Sequence, residues 1–171
     1  GHAALLSTKI PAVGTFHAAF PGRNAWYDAL RVPLKRLIVR LAVRTAVSEE
    51  AQRNFESTFG LPCEILPNGV DVDAFAGAEP WPTDRPAICF VGRHEPRKGL
   101  RVLLDAFAGL ADEAVLWIVG EGPETEALQE RARGSGQVEW LGVVSEHEKA
   151  RRLRGATIAC FPSIEGESFG V

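Results

Sequence analysis

Ala87-Ile88-Cys89-Phe90-Val91-Gly92-Arg93-His94-Glu95-Pro96-Arg97-Lys98-Gly99 is the stretch on which the fold turns. Its first five residues are apolar without alternation and run into a glycine, the pattern of a strand buried on both faces of a parallel sheet. After Gly99 the apolar residues Leu100, Leu103, Leu104, Phe107 and Leu110 recur at helical spacing. A short basic loop therefore joins a strand to a helix N-terminus, where free amides and the helix dipole favour an anion. Arg93 offers a planar fork and Lys98 a point charge, a combination that fits a diphosphate. Solvated surface charges are the ordinary alternative for the same two residues. The loop is not a Walker loop, because the G-x-x-x-x-G-K-[ST] cradle is absent.

Downstream the alternation is regular. Strands are predicted over 87–92, 114–120, 137–141 and 157–161, and helices over 99–110, 123–133 and 145–154. Such alternation implies right-handed crossovers and a parallel sheet covered by helices, with ligands bound beyond the carboxyl ends of the strands. Gly92, Gly120, Gly142 and Pro162 mark those ends and are expected to share one rim. Upstream, a strand over 11–17 and a loop over 18–23 precede a Leu- and Arg-rich segment over 25–41, helical in period but interrupted by Pro33. A strand over 42–47 leads to Ser48, a good N-cap for a helix over 49–59, with Gly60 as its terminator. A strand over 63–66 runs into a Pro-Asn-Gly turn. From 74 to 86 the composition shifts to Ala, Gly, Pro and acid, with Pro80, Pro82 and Pro86 close together, which reads as an interdomain linker. The expected organisation is 1–73, linker 74–86, and 87–171.

Composition narrows the class. With 171 residues and 46% hydrophobic content the chain has enough apolar material for a real core. The formal net charge of -3 argues against general nucleic-acid binding. Cys63, Cys89 and Cys160 are odd in number and singly spaced, so they form neither a disulfide framework nor a zinc pattern, and they read as buried free thiols in a reducing cytosol. No apolar run has the length of a membrane span and no signal sequence is visible.

Four separated motifs carry a family resemblance: Thr15-Phe16-His17, Pro67-Asn68-Gly69-Val70-Asp71, the Gly92–Gly99 loop, and Glu165-Gly166-Glu167-Ser168-Phe169-Gly170. Together they resemble the retaining glycosyltransferases of family 4 with the GT-B fold, in particular the bacterial phosphatidylinositol mannosyltransferases. The resemblance implies an α/β chain of two Rossmann-like domains, both incomplete here. The family's acidic motif is a Glu, seven residues, and a second Glu. Glu167 fits the first position, and the second would fall past residue 171, so the chain, which contains no methionine, is expected to be an internal fragment.

By the same resemblance, His17 lies near the transferred sugar and Glu167 hydrogen-bonds its hydroxyls, while Gly92, Arg93, Lys98 and the amides of Ser168, Phe169 and Gly170 meet the diphosphate. The loops at Gly120 and Gly142 take the nucleotide base, with Val144 and Lys149 as contacts. No metal ligands and no tightly bound cofactor are implied; the donor is a substrate, and Mg stays open as a participant without being implied. The favoured reaction moves mannose from GDP-mannose to a phosphatidylinositol-type lipid or other hydroxyl acceptor.

On the residues alone, each of these positions also has a plainer reading: a structural histidine, an exposed loop carboxylate, tight glycine turns. Arg23, Arg31, Lys35, Arg36, Arg40 and Arg44 form a basic stripe beside Leu30, Leu34, Leu37, Ile38 and Leu41. A solvated helix face is its default, and contact of Lys35, Arg36 and Arg40 with anionic lipid is the functional alternative. The expected location is the cytoplasm, with peripheral contact at the cytoplasmic face of the membrane. A UDP-sugar-dependent transferase with a soluble acceptor, and a non-catalytic nucleotide-sugar-binding module, stay open. A nicotinamide-dependent oxidoreductase is disfavoured, because Gly92–Gly99 lacks G-x-G-x-x-G spacing.

Overall fold

The computed structural model describes residues 10–17, 25–135 and 137–165, the side chains of 25–29 excepted. It divides into two compact units, one reaching Gly69 and the other spanning Val70–Glu165.

In the first unit β1 (Val13–Phe16), β2 (Val43–Ala46) and β3 (Glu64–Ile65) form a parallel sheet in the order β1-β2-β3. Two helices pack with it, α1 (Ala25–Ile38) and α2 (Glu49–Phe59). The caps of α2 are those the sequence predicts: the Ser48 hydroxyl accepts from the Ala51 amide at 3.1 Å, and Gly60, at φ 61°, closes the helix by donating to the Glu56 carbonyl. Ala51, Phe55 and Phe59, four apart, bury one face of α2 among Ile38, Leu41, Ala46, Val47 and Cys63. Phe16 packs against Phe55 with ring centroids 4.2 Å apart and planes tilted by 41°.

The expected interruption at Pro33 does not occur, and α1 runs through it. Proline removes one amide from the helix but supplies a helical φ. Pro33 is exposed while Leu34, Ile38 and Leu41 pack into the core, so tertiary burial outweighs the lost bond. Arg44, counted in the basic stripe, instead donates to the carbonyls of Pro62 and Leu41, which makes it a local brace.

The second unit opens with α3 (Val72–Ala76), capped by Asp71 through the Ala74 amide at 3.0 Å. A four-stranded parallel sheet follows, in the order β6-β5-β4-β7, from β4 (Ala87–Val91), β5 (Val115–Val119), β6 (Val138–Gly142) and β7 (Ile158–Ala159). Its connecting helices are α4 (Leu100–Phe107), α5 (Thr125–Arg131) and α6 (Glu146–Gly155). Alternation along the strands feeds two cores. Phe90, Leu116 and Ile118 pack with Leu100, Leu103, Leu104 and Phe107 of α4 and Leu128 of α5. Ala87, Cys89, Val115, Trp117 and Val119 face the other way, with Leu153 of α6 against them. Helices thus cover both faces, as the unbroken apolar run of β4 requires.

Segment 74–86 is fastened to α6. The Trp81 amide donates to the Arg151 carbonyl at 2.9 Å, and the Arg151 guanidinium reaches the Glu79 carbonyl at 3.2 Å.

Candidate functional site

Glycine backbone ties the carboxyl ends of the second sheet together. The Gly92 amide donates to the Val119 carbonyl at 3.0 Å, and the Gly120 amide to the Gly142 carbonyl at 2.7 Å. Gly120 has φ 113°, and a Cβ there would overlap the Gly92 carbonyl, so the two loops touch where side chains would part them. β7 closes the row from the other edge: the Cys160 amide donates to Cys89 and the Ile164 amide to Arg97, both at 2.9 Å. The four strand ends read from Gly92, Gly120, Gly142 and Pro162 share one rim.

The basic loop enters this rim from β4. Between strand and helix it inserts a single 3₁₀ turn, Pro96–Lys98, and Gly99 at φ 68° turns the chain into α4. The first α4 amides, which no helix satisfies internally, begin beside Pro162, and the positive end of the helix dipole lies with them. Glu95 organises the cations. Its carboxylate takes Arg93 Nε and Arg97 Nε, one on each oxygen, at 2.9 Å. Its own side chain is only 22% exposed, against 69% for Arg93. An ion pair this close to water is worth at most about 1 kcal/mol, so a phosphate can compete for Arg93 while Glu95 keeps the loop in shape. Lys98 is half-buried on the same turn.

Nothing in the sequence singles out His94, yet it is the most buried polar residue of the unit, at 1% exposure. Its Nδ1 lies 2.8 Å from the Thr125 hydroxyl at the start of α5. Burial pushes its pKa down from the ordinary histidine value, against the pull of Glu121. The Arg-x-Glu-x-Arg spacing of residues 93, 95 and 97 was a readable signal for the ion-pair bridge; the buried histidine had none.

Residues 85–171, which contain this rim, match the family described as glycosyl transferases group 1. The chain belongs to that family. Residues 1–74 match Glycosyltransferase Family 4. Among similar glycosyltransferases is a phosphatidyl-myo-inositol mannosyltransferase of Mycobacterium tuberculosis, 34% identical over 94% of this chain and 44% of its own length. A GDP-mannose-dependent alpha-(1-6)-phosphatidylinositol monomannoside mannosyltransferase of Mycolicibacterium smegmatis is 36% identical over 64% of this chain and 32% of its own. The chain thus spans less than half the length of these curated relatives. HepE of Anabaena in complex with UDP-glucose superposes with a TM-score of 0.76 at 19% identity, over 95% of this chain and 50% of that one. The fold is of the GT-B glycosyltransferase type.

The other site positions read from the sequence divide by what they touch. Val144, after the third strand end, is half-buried and packs against the core formed by β4 and β5. Lys149, in the first half of α6, pairs with Glu146 at 2.6 Å. His17 directly follows β1 and is exposed. Glu167, Ser168, Phe169 and Gly170 lie outside the described residues. Among the described residues no cluster of three or more His, Cys, Asp or Glu could hold a metal ion, and no helix is long and apolar enough to cross a membrane.

Proposed function

We propose that this glycosyltransferase moves mannose from GDP-mannose to a hydroxyl of a phosphatidylinositol-type lipid, with retention at the anomeric carbon. The observation that carries the reading is the meeting of Arg93, Lys98 and the start of α4 at one rim, with the chain that enters the acidic motif bonded to that loop through Ile164 and Arg97. The GDP-mannose dependence and phosphatidylinositol-type acceptor in the relatives' names support the donor and acceptor.

As the bond from the anomeric carbon to the phosphate oxygen breaks, positive charge grows on the sugar and negative charge on the departing diphosphate. Arg93, Lys98 and the α4 amides stabilise the diphosphate where its charge develops. Gly92 allows its close approach, and the amides of Ser168, Phe169 and Gly170 complete the contact. Glu167 and His17 hold the sugar. The loops of Gly120 and Val144, with Lys149, take the base. Fixed cations and amides meet the leaving-group charge, so no step in this account calls on a bound metal; activity that survives EDTA is the corresponding expectation. In this account the chain is organised as 1–73, 74–86 and 87–171.

The enzyme works at the cytoplasmic face of the membrane. Arg31, Val32, Lys35, Arg36 and Val39 line a shallow groove of about 510 Å³ on α1, and with Arg40 they form a mixed basic and apolar surface of the kind that contacts anionic headgroups. The likeness in fold to a protein crystallised with UDP-glucose favours a second reading, a UDP-sugar donor with a soluble acceptor.

Radiolabelled GDP-mannose and UDP-glucose, each offered with phosphatidylinositol vesicles, separate the two. Label passing from GDP-mannose into the organic phase supports the proposal. Transfer from UDP-glucose alone replaces it with the second reading, and no transfer from either leaves a non-catalytic binding module.

A further inference from the structure

His94 sits where the basic loop meets the turn after β5, and the diphosphate chemistry above does not use it. Its backbone is held from both sides: its amide donates to the Glu121 carbonyl at 3.2 Å, and its carbonyl accepts from the Glu124 amide at 3.1 Å. A Cβ on Gly122 would lie 2.5 to 2.8 Å from that backbone, so only glycine permits the approach. The ring stands edge-on to Trp140 of β6 at 5.7 Å and tilted to Phe90 of β4 at 6.1 Å.

The hydrogen bonds give Nδ1 a partner and leave Nε2 without one. The Thr125 hydroxyl donates to the Gly122 carbonyl at 2.9 Å and accepts from the Gly122 amide at 2.9 Å. When that proton is donated to the Gly122 carbonyl, the hydroxyl oxygen accepts from Nδ1–H of His94 and the lone pair falls on Nε2. That atom is buried without a partner. A second proton would place a charge there with no acceptor, between two aromatic rings. Glu121 on the facing turn is the acid whose field opposes this cost, as its effect on the ring indicates. Glu124 also lies on that turn, Arg93 and Glu95 neighbour His94 in sequence on its own loop, and β4 and β6 contribute the rings of Phe90 and Trp140.

We propose that His94 is a positioning residue for the donor: as the neutral imidazole it clamps the Gly92–Gly99 loop to the Gly120–Thr125 turn and thereby sets where Arg93 and Lys98 meet the diphosphate. The proposal rests on the donor reading above.

GDP binding, measured by calorimetry from about pH 8 to pH 5 across the histidine range with melting temperature in parallel, tests it. The proteins are wild type, His94→Asn, His94→Phe, Thr125→Ser and Thr125→Val. Asn restores a donor where Nδ1 stood but does not titrate, and Ser keeps the hydroxyl. The account expects His94→Asn and Thr125→Ser to bind within about threefold of wild type at pH 8, and His94→Phe and Thr125→Val to bind about tenfold or more weakly, the loss of one buried hydrogen bond. GDP titrates in the same range, so the acid response of His94 is the wild-type loss in excess of that in His94→Asn, and an excess is expected. Equal binding by wild type and His94→Phe, affinities that track melting temperature alone, or identical acid profiles for wild type and His94→Asn would overturn the assignment. Wild type that binds no nucleotide at any pH would instead bring down the donor reading itself.

Discussion

Gly99 and Pro162 are in backbone contact: a Cβ at residue 99 would overlap the Pro162 carbonyl. The turn that starts α4 and the chain leaving β7 thus approach with no room for a side chain between them, and the second strand end helps shape the basic loop. Gly99 also has φ 68°, a conformation that costs an L-residue about 1–2 kcal/mol before any clash. Gly99→Ala is therefore expected to destabilise by roughly 2–3 kcal/mol and to weaken GDP binding. Urea denaturation and calorimetry check both effects. A variant as stable as wild type would mean that the contact is easily relaxed.

Arg152 lies between two indoles, its guanidinium carbon 3.8 Å from the Trp81 ring centroid and 4.8 Å from that of Trp117. It also pairs with Glu139 and Glu148. The stack fastens segment 74–86 to the sheet, and it depends on a flat cation. Arg152→Lys keeps the charge and loses the plane, at an expected cost of about 1–2 kcal/mol. Trp81→Ala should cost more, and the double variant less than the sum of the two, because one interaction is removed twice. Strict additivity in a denaturation cycle would show that the two residues do not act together.

Burial holds the Cys89 thiol in its protonated form, with a pKa of about 11 against 9.0 for an open cysteine. Cys63 is shifted upward too, chiefly by burial. In the folded protein at pH 8 iodoacetamide is expected to label the half-buried Cys160 well before Cys89, and all three thiols after denaturation. The linkage has a definite sign. Between about pH 9 and pH 11 the unfolded chain loses the Cys89 proton while the fold retains it, so stability contributed by this group falls as pH rises through that window. Cys89→Ser should flatten the decline.

Ser48→Ala removes the hydroxyl that accepts from the Ala51 amide, at an expected cost of about 1 kcal/mol, read as a lower urea midpoint.

Elements whose causes are local were legible in the sequence. Ser48 and Gly60 bound α2 because a cap and a left-handed glycine act within a turn of themselves. The apolar run 87–91 declared its two-faced burial, and Gly92, Gly120 and Gly142 marked strand ends, with Gly120 the one of the three where a Cβ would overlap a neighbouring backbone. What escaped depends on partners distant in the chain. Pro33 reads as a break in the sequence because the packing of Leu34 and Ile38 that outweighs it has no local signal. The prolines of 74–86 concealed the docking of Trp81 on α6, which is 70 residues away. The 3₁₀ turn was hidden inside a loop whose shape Glu95 sets. His94 is in sequence one more polar loop residue, since the groups that surround it, Thr125, Trp140 and Phe90, lie on other elements.

The central claim is that the Gly92–Gly99 loop binds the diphosphate of GDP-mannose, and calorimetric titration of GDP-mannose and UDP-glucose into wild type and Lys98→Ala tests it most directly. The account predicts tighter binding of GDP-mannose by wild type and a loss of at least about tenfold in the variant, the worth of a charge-assisted contact to phosphate. Equal binding by Lys98→Ala would contradict the assignment of the loop, and preference for UDP-glucose would contradict that of the donor.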